Sequence, residues 1–202
     1  MATKSWNLQP LMQVLSRRVT IGISLAAVAV LSVVFRVWGA LVTDDSLGII
    51  RSQLAFTADR FEAVTGTWNI AEFIRLTATV DFIFPVLYAA VIAGVWARAA
   101  GSDQWSRSVW PAATAFGAAA ADWMENSFHL IAIEPTITGG TPVGVAVAVG
   151  SAFAVLKWIG IVVALTAAAI TAWRRNGPVW RGIGVVLAGL AGAIAGVVTS
   201  AF

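Results

Sequence analysis

The chain contains no cysteine, which excludes disulfides, thiolate metal sites and cysteine nucleophiles. It has one histidine, thin material for a metal centre of the kind that intramembrane hydrolases build from several such ligands. Charge is also scarce. Only 11% of the 202 residues are charged, against about 25% in a soluble domain. No nucleotide-binding loop, Ser-His-Asp arrangement, zinc-protease motif or internal repeat is present. What fills the space is apolar: 59% of residues are hydrophobic and the mean hydropathy is +0.84. This composition describes an all-α integral membrane protein, a single bundle over residues 1–202, too short for the duplicated halves of a large transporter. The net charge of +3 raises nucleic acid as a partner. The basic residues flank apolar runs, where membrane topology explains them, so nucleic acid is discounted and the lipid bilayer is the expected surrounding.

Five apolar runs are long enough to cross a bilayer, which takes about 20 residues. They cover roughly 20–42, 70–96, 109–133, 143–173 and 179–202. Before the first, Trp6, Leu8, Leu11, Met12 and Leu15 suit a short interfacial helix leading to Arg17 and Arg18. This start resembles that of a signal peptide, but the run that follows is too long and lacks a small-x-small cleavage site, so it is read as the first transmembrane helix. The connector 44–69 is the one long polar stretch. Its Ile49, Ile50, Leu54, Phe56, Phe61 and Val64 interleave with Arg51, Asp59, Arg60 and Glu62, predicting one or two amphipathic helices on the outer surface. Thr57 is placed to cap the second, with Asp59 in its first turn. In the last run Gly184, Ala188, Gly192 and Gly196 recur every four residues, a stripe suited to close helix packing, a partner helix or a homo-oligomer. Arg17, Arg18, Arg98, Arg107, Arg174, Arg175 and Arg181 fall on one side of the five-span arrangement. By the positive-inside rule the N-terminus is then cytoplasmic and the C-terminus outside, in a plasma membrane.

The third run carries the chemistry. Asp122, Glu125, Asn126 and His129 are spaced by threes and fours, so one helix face presents all of them. Ionisable groups in hydrocarbon cost about 2.5–3.5 kcal/mol each and require a partner or a water-filled cavity. At 1.5 Å per residue, Asp81 lies about 15 Å from the outer end of its span, Asp122 about 16 Å and Lys157 about 21 Å. Arg36 is about 9 Å deep by the same count. Lys157 is therefore expected to neutralise Asp81 or Asp122, and Arg36 to neutralise Glu125, in a polar column opening outward. Pro85 removes a backbone N–H and frees the carbonyl of residue 81, and Tyr88 continues the face that holds Asp81 and Pro85.

The pattern Asp81-x-x-Phe84-Pro85-x-x-Tyr88, followed by Asp122-x-x-Glu125-Asn126 and then Lys157, resembles small multi-pass bacterial membrane proteins. The resemblance spans the second to fourth runs and implies a bacterial inner membrane but no activity. Three functions compete. The first is binding or translocation of a small polar ligand, a lipid headgroup or a proton by Asp81, Tyr88, Asp122, Glu125, Asn126, Lys157 and Arg36. The second is a metal-dependent intramembrane enzyme, with Asp122, Glu125 and His129 as ligands of a divalent metal and Asp81 as a fourth. The third is an accessory subunit packing through the small-residue stripe. No resident cofactor is otherwise expected.

Overall fold

A computed structural model describes residues 8–45, 47–102, 109–175 and 177–201. Trp6, Arg107, Asn176 and Phe202 lie outside the described residues. The elements are α1 (Gln9–Leu15), α2 (Arg18–Val42), α3 (Gly48–Gln53), α4 (Ala58–Thr65), α5 (Ile70–Ala100), α6 (Trp110–Ile133), a 3-10 turn (Glu134–Thr138), α7 (Gly144–Arg174) and α8 (Pro178–Ser200). The described residues contain no strand. Four helices are long and apolar enough to cross a membrane: α2, α5, α7 and α8. Helix α6 has the length, at 24 residues, but Asp122, Glu125, Asn126 and His129 leave it less apolar than those four.

The helices run alternately up and down between two ends. At the arginine end, Arg98 donates to the carbonyl of Ser16 at 3.1 Å. Arg175 donates to the carbonyls of Arg98 and Ala99, so two arginines tie the α1–α2 turn, the end of α5 and the α7–α8 turn together. At the connector end, the backbone N–H of Asn69 donates to Val42 O and that of Val143 to Ala132 O, each at 3.0 Å. Segment 44–69 folds into two short helices. Thr57 Oγ1 accepts from Arg60 N at 3.3 Å and begins α4, with Asp59 in the first turn. Asn69 caps α5 in the same way through Glu72 N.

Helix α6 packs between α5 and α7, while α2 rests on α5 and α8 on α7. The contact faces are built from small residues. Ala112, Ala115, Ala118 and Ala119 of α6 meet Ala93 and Ala97 of α5 and Ala164 and Ala168 of α7 in one core. Lipid tails are as apolar as side chains, so such helices associate through close van der Waals contact, which small residues permit. Gly160 shows how tight this is, since a Cβ there would lie 2.9 Å from Ala118 Cβ. A second core at the connector end joins Phe61, Trp68, Phe73, Leu76, Ala132, Ile133 and Val147. Between the two cores lies a polar layer.

Candidate functional site

The layer exists because two buried stripes meet out of chemical character. On α6 the inward face continues from Ala115, Ala118 and Ala119 through Asp122, Glu125, Asn126 and His129 to Ala132. On α7 it runs through Val147, Gly150, Ser151, Ala154, Lys157, Ile161 and Ala164. Each side chain is carried inward by helical periodicity, whatever its polarity. Asp122, Glu125, Asn126, His129 and Lys157 are all at most 4% exposed.

Lys157 Nζ donates to Asp122 Oδ1 at 3.2 Å and forms an ion pair with Glu125 Oε2 at 2.5 Å. Tyr88 of α5 donates its hydroxyl to the other Asp122 oxygen at 3.1 Å. Asp122 is thus held from two helices. Asp81 is the electrostatic neighbour of both Asp122 and Lys157 and is half-buried. The carbonyl of Asp81 lacks its helical donor because position 85 is proline. Asn126 Nδ2 supplies one at 3.2 Å, and one turn earlier Trp123 Nε1 donates to Phe82 O at 2.8 Å. The proline gap of α5 is therefore closed by α6.

Towards the connector end, His129 Nδ1 is 3.8 Å from Glu125 Oε1, too long for a hydrogen bond, and its Nε2 is buried without a partner. Phe61 of α4, fully buried, stacks on the imidazole with centroids 5.5 Å apart. The ring fits because residue 150 is glycine: a Cβ there would lie 2.8 Å from His129 Nε2. Next to it, Ser151 Oγ accepts from Phe56 N at 3.0 Å, and Phe56 holds a left-handed φ of 57°. The connector is thereby latched over the layer.

Several expectations are corrected by this geometry. Glu125 pairs with Lys157, not Arg36. Arg36 is exposed on α2, and no ion pair among the described residues involves it. The polar column does not open at the connector end, since Phe61 and the latch at Phe56 cover it. Asp122, Glu125 and His129 do not make a metal-ligand group among the described residues. Lys157 occupies both carboxylates, and the histidine stands off from Glu125. Of the small-residue stripe, Gly184 packs against Ala169 and Trp173 of α7, while Ala188, Gly192 and Gly196 are exposed. In the sequence Phe61 stands out only as an apolar residue of the connector, and Trp123, Gly150 and Ser151 do not stand out as site residues. Trp123 had a signal, three residues before Asn126 and opposite a proline helix. Gly150 and Ser151 had none, because their roles depend on what packs against them.

Fold and layer together define a class: an all-helical bundle with membrane-length helices and a buried layer of carboxylates around one lysine. No family model matches the chain, and no curated protein or solved structure matches it.

Proposed function

We propose that this is a bacterial inner-membrane protein of five crossing helices whose buried layer binds protons and passes them between the two sides. The observation that carries this reading is a charge imbalance. One ammonium, Lys157, faces Asp122 and Glu125 directly and Asp81 as a near neighbour. Low-dielectric surroundings tolerate surplus carboxylate only when protons or cations make up the difference. Apolar cores flank the layer on both sides, and two grooves elsewhere on the bundle are lined by other residues. A proton, unlike a lipid headgroup or a polar metabolite, needs no cavity to be held there. Carboxylates paired with lysine inside a bundle are the usual composition of proton relays.

Helix α6 serves as the fifth crossing, shielded from lipid by α5 and α7, which is why it can be less apolar than the others. The arginine end then faces the cytoplasm and the connector end the outside. His129 is the next polar group from Glu125 towards the connector, and Phe61 stands between it and the surface. Exchange with the outer side then requires the connector to lift.

The test is proton flux in proteoliposomes under an imposed membrane potential, followed with an entrapped pH dye. The native chain is expected to acidify or alkalinise the lumen faster than empty vesicles, and Glu125→Gln and Asp122→Asn to abolish the difference. Infrared spectra across a pH titration supply a second readout, a protonated-carboxyl band missing in Glu125→Gln. Native vesicles that match empty ones, together with no titrating carboxyl band, would overturn the proposal. An accessory-subunit reading keeps one observation in its favour, the exposed face of Ala188, Gly192 and Gly196. Crosslinking from Gly192→Cys in native membranes tests it.

A further inference from the structure

The arginine end holds a groove of about 490 Å³ between α5, α6 and α7. Its floor is one stripe of α7, Val163, Ala167, Ile170 and Arg174, and its walls include Trp96 and Trp110. The stripe covers eleven residue steps, about 16 Å at 1.5 Å each, or half of a hydrocarbon core of about 30 Å. It therefore has the length of a single leaflet. The chemistry changes along it in the order that a lipid requires. Val163 and Ile170 are exposed apolar side chains along the groove, and exposed Arg174 ends α7 at the rim. Trp110 is 53% exposed and Trp173 55%, tryptophans of the type that sit at headgroup level.

Among the described residues, the charge around the rim is one-sided. Arg17, Arg18, Arg174 and Arg181 are exposed at this end. Among the described residues, every carboxylate outside the buried layer belongs to the connector end: Asp44, Asp45, Asp59, Glu62, Glu72 and Glu134. Arg175 is already engaged, by the carbonyls of α5 and by the Trp180 ring 4.6 Å away. No ion pair among the described residues involves Arg174. A basic residue at the mouth of an apolar groove between membrane helices is the composition of an anionic-lipid site.

We propose that this groove binds a phosphate-bearing anionic phospholipid, one acyl chain lying along Val163, Ala167 and Ile170 and the headgroup phosphate meeting Arg174. The site requires only that the bundle lie in a bilayer and is independent of proton binding by the charged layer.

The experiment uses the full chain, delipidated in a neutral detergent, with thermal unfolding followed against added lipid. Phosphatidylglycerol, phosphatidylcholine with the same acyl chains, and inorganic phosphate are the three probes. Phosphatidylglycerol is expected to raise the melting temperature by mass action, with little effect from the other two. Arg174→Gln should weaken the apparent affinity for phosphatidylglycerol about fivefold. Ile170→Trp, which fills the groove, should remove the shift while leaving the lipid-free melting temperature in place. An equal shift with phosphatidylcholine, an equal shift with phosphate alone, or an unchanged response in both variants would each overturn the proposal.

Discussion

Asn126 donates its side-chain amide to the backbone carbonyl of Asp81, 3.2 Å away on the neighbouring helix. That carbonyl is free because Pro85, four residues on, has no N–H to offer. A helix interrupted in hydrocarbon has to find substitute donors, and here the adjacent helix provides one at Asn126. The pairing sets the register between α5 and α6, and with it the depth at which Tyr88 meets Asp122.

This relationship makes a double-mutant prediction. Asn126→Ala strands a buried carbonyl and should cost about 1–3 kcal/mol. Pro85→Ala returns a backbone donor to Asp81 O, so the same Asn126→Ala change should cost much less in that background. Unfolding in mixed micelles measures all four proteins of the cycle. Equal cost in both backgrounds would show that Asn126 does not act on the proline gap.

Lys157 has two carboxylate partners, and the pattern of rescue should reveal both. Lys157→Met leaves Asp122 and Glu125 without their cation and should cost about 3–5 kcal/mol. Adding Asp122→Asn alone should recover only part, because Glu125 remains at the vacated position. The triple variant with Glu125→Gln should approach native stability. Full recovery by Asp122→Asn alone would exclude Glu125 as a partner in solution.

The contact between Gly150 and His129 predicts a steric coupling. Gly150→Ala places a methyl group 2.8 Å from the imidazole nitrogen, and overpacking of this kind costs about 1–3 kcal/mol. Combined with His129→Ala, which removes the ring, the same substitution should be close to neutral. Hydrogen exchange on residues 54–57 should rise in the Gly150→Ala single variant, since the latch at Ser151 is the next residue. Protection unchanged there would separate the latch from the histidine.

Arg36 supplies a negative control. It is exposed and joins no ion pair among the described residues, so Arg36→Gln should change stability by less than about 0.5 kcal/mol. It should leave proton flux as in the native chain. A large loss in either measurement would restore the pairing that its depth alone suggests.

The helices and the polar faces were legible in the sequence because both depend on residues within a few turns of one another. The apolar runs matched α2, α5, α7 and α8 to within a few residues at each boundary, and Thr57 announced the start of α4. The threefold and fourfold spacing of Asp122, Glu125, Asn126 and His129 put them on one face without reference to any other helix. Counting residues along each helix compares heights between helices, and Lys157 does meet Asp122. Height is only one coordinate of a cylinder. The rotation of each helix, and which neighbour it faces, come from the packing of alanine and glycine surfaces far apart in the chain. That packing sent Lys157 to Glu125 as well as Asp122 and left Arg36 on an outer face. It also turned Asn126 to a backbone carbonyl, and brought Phe61 across some seventy positions of sequence to close the site over His129.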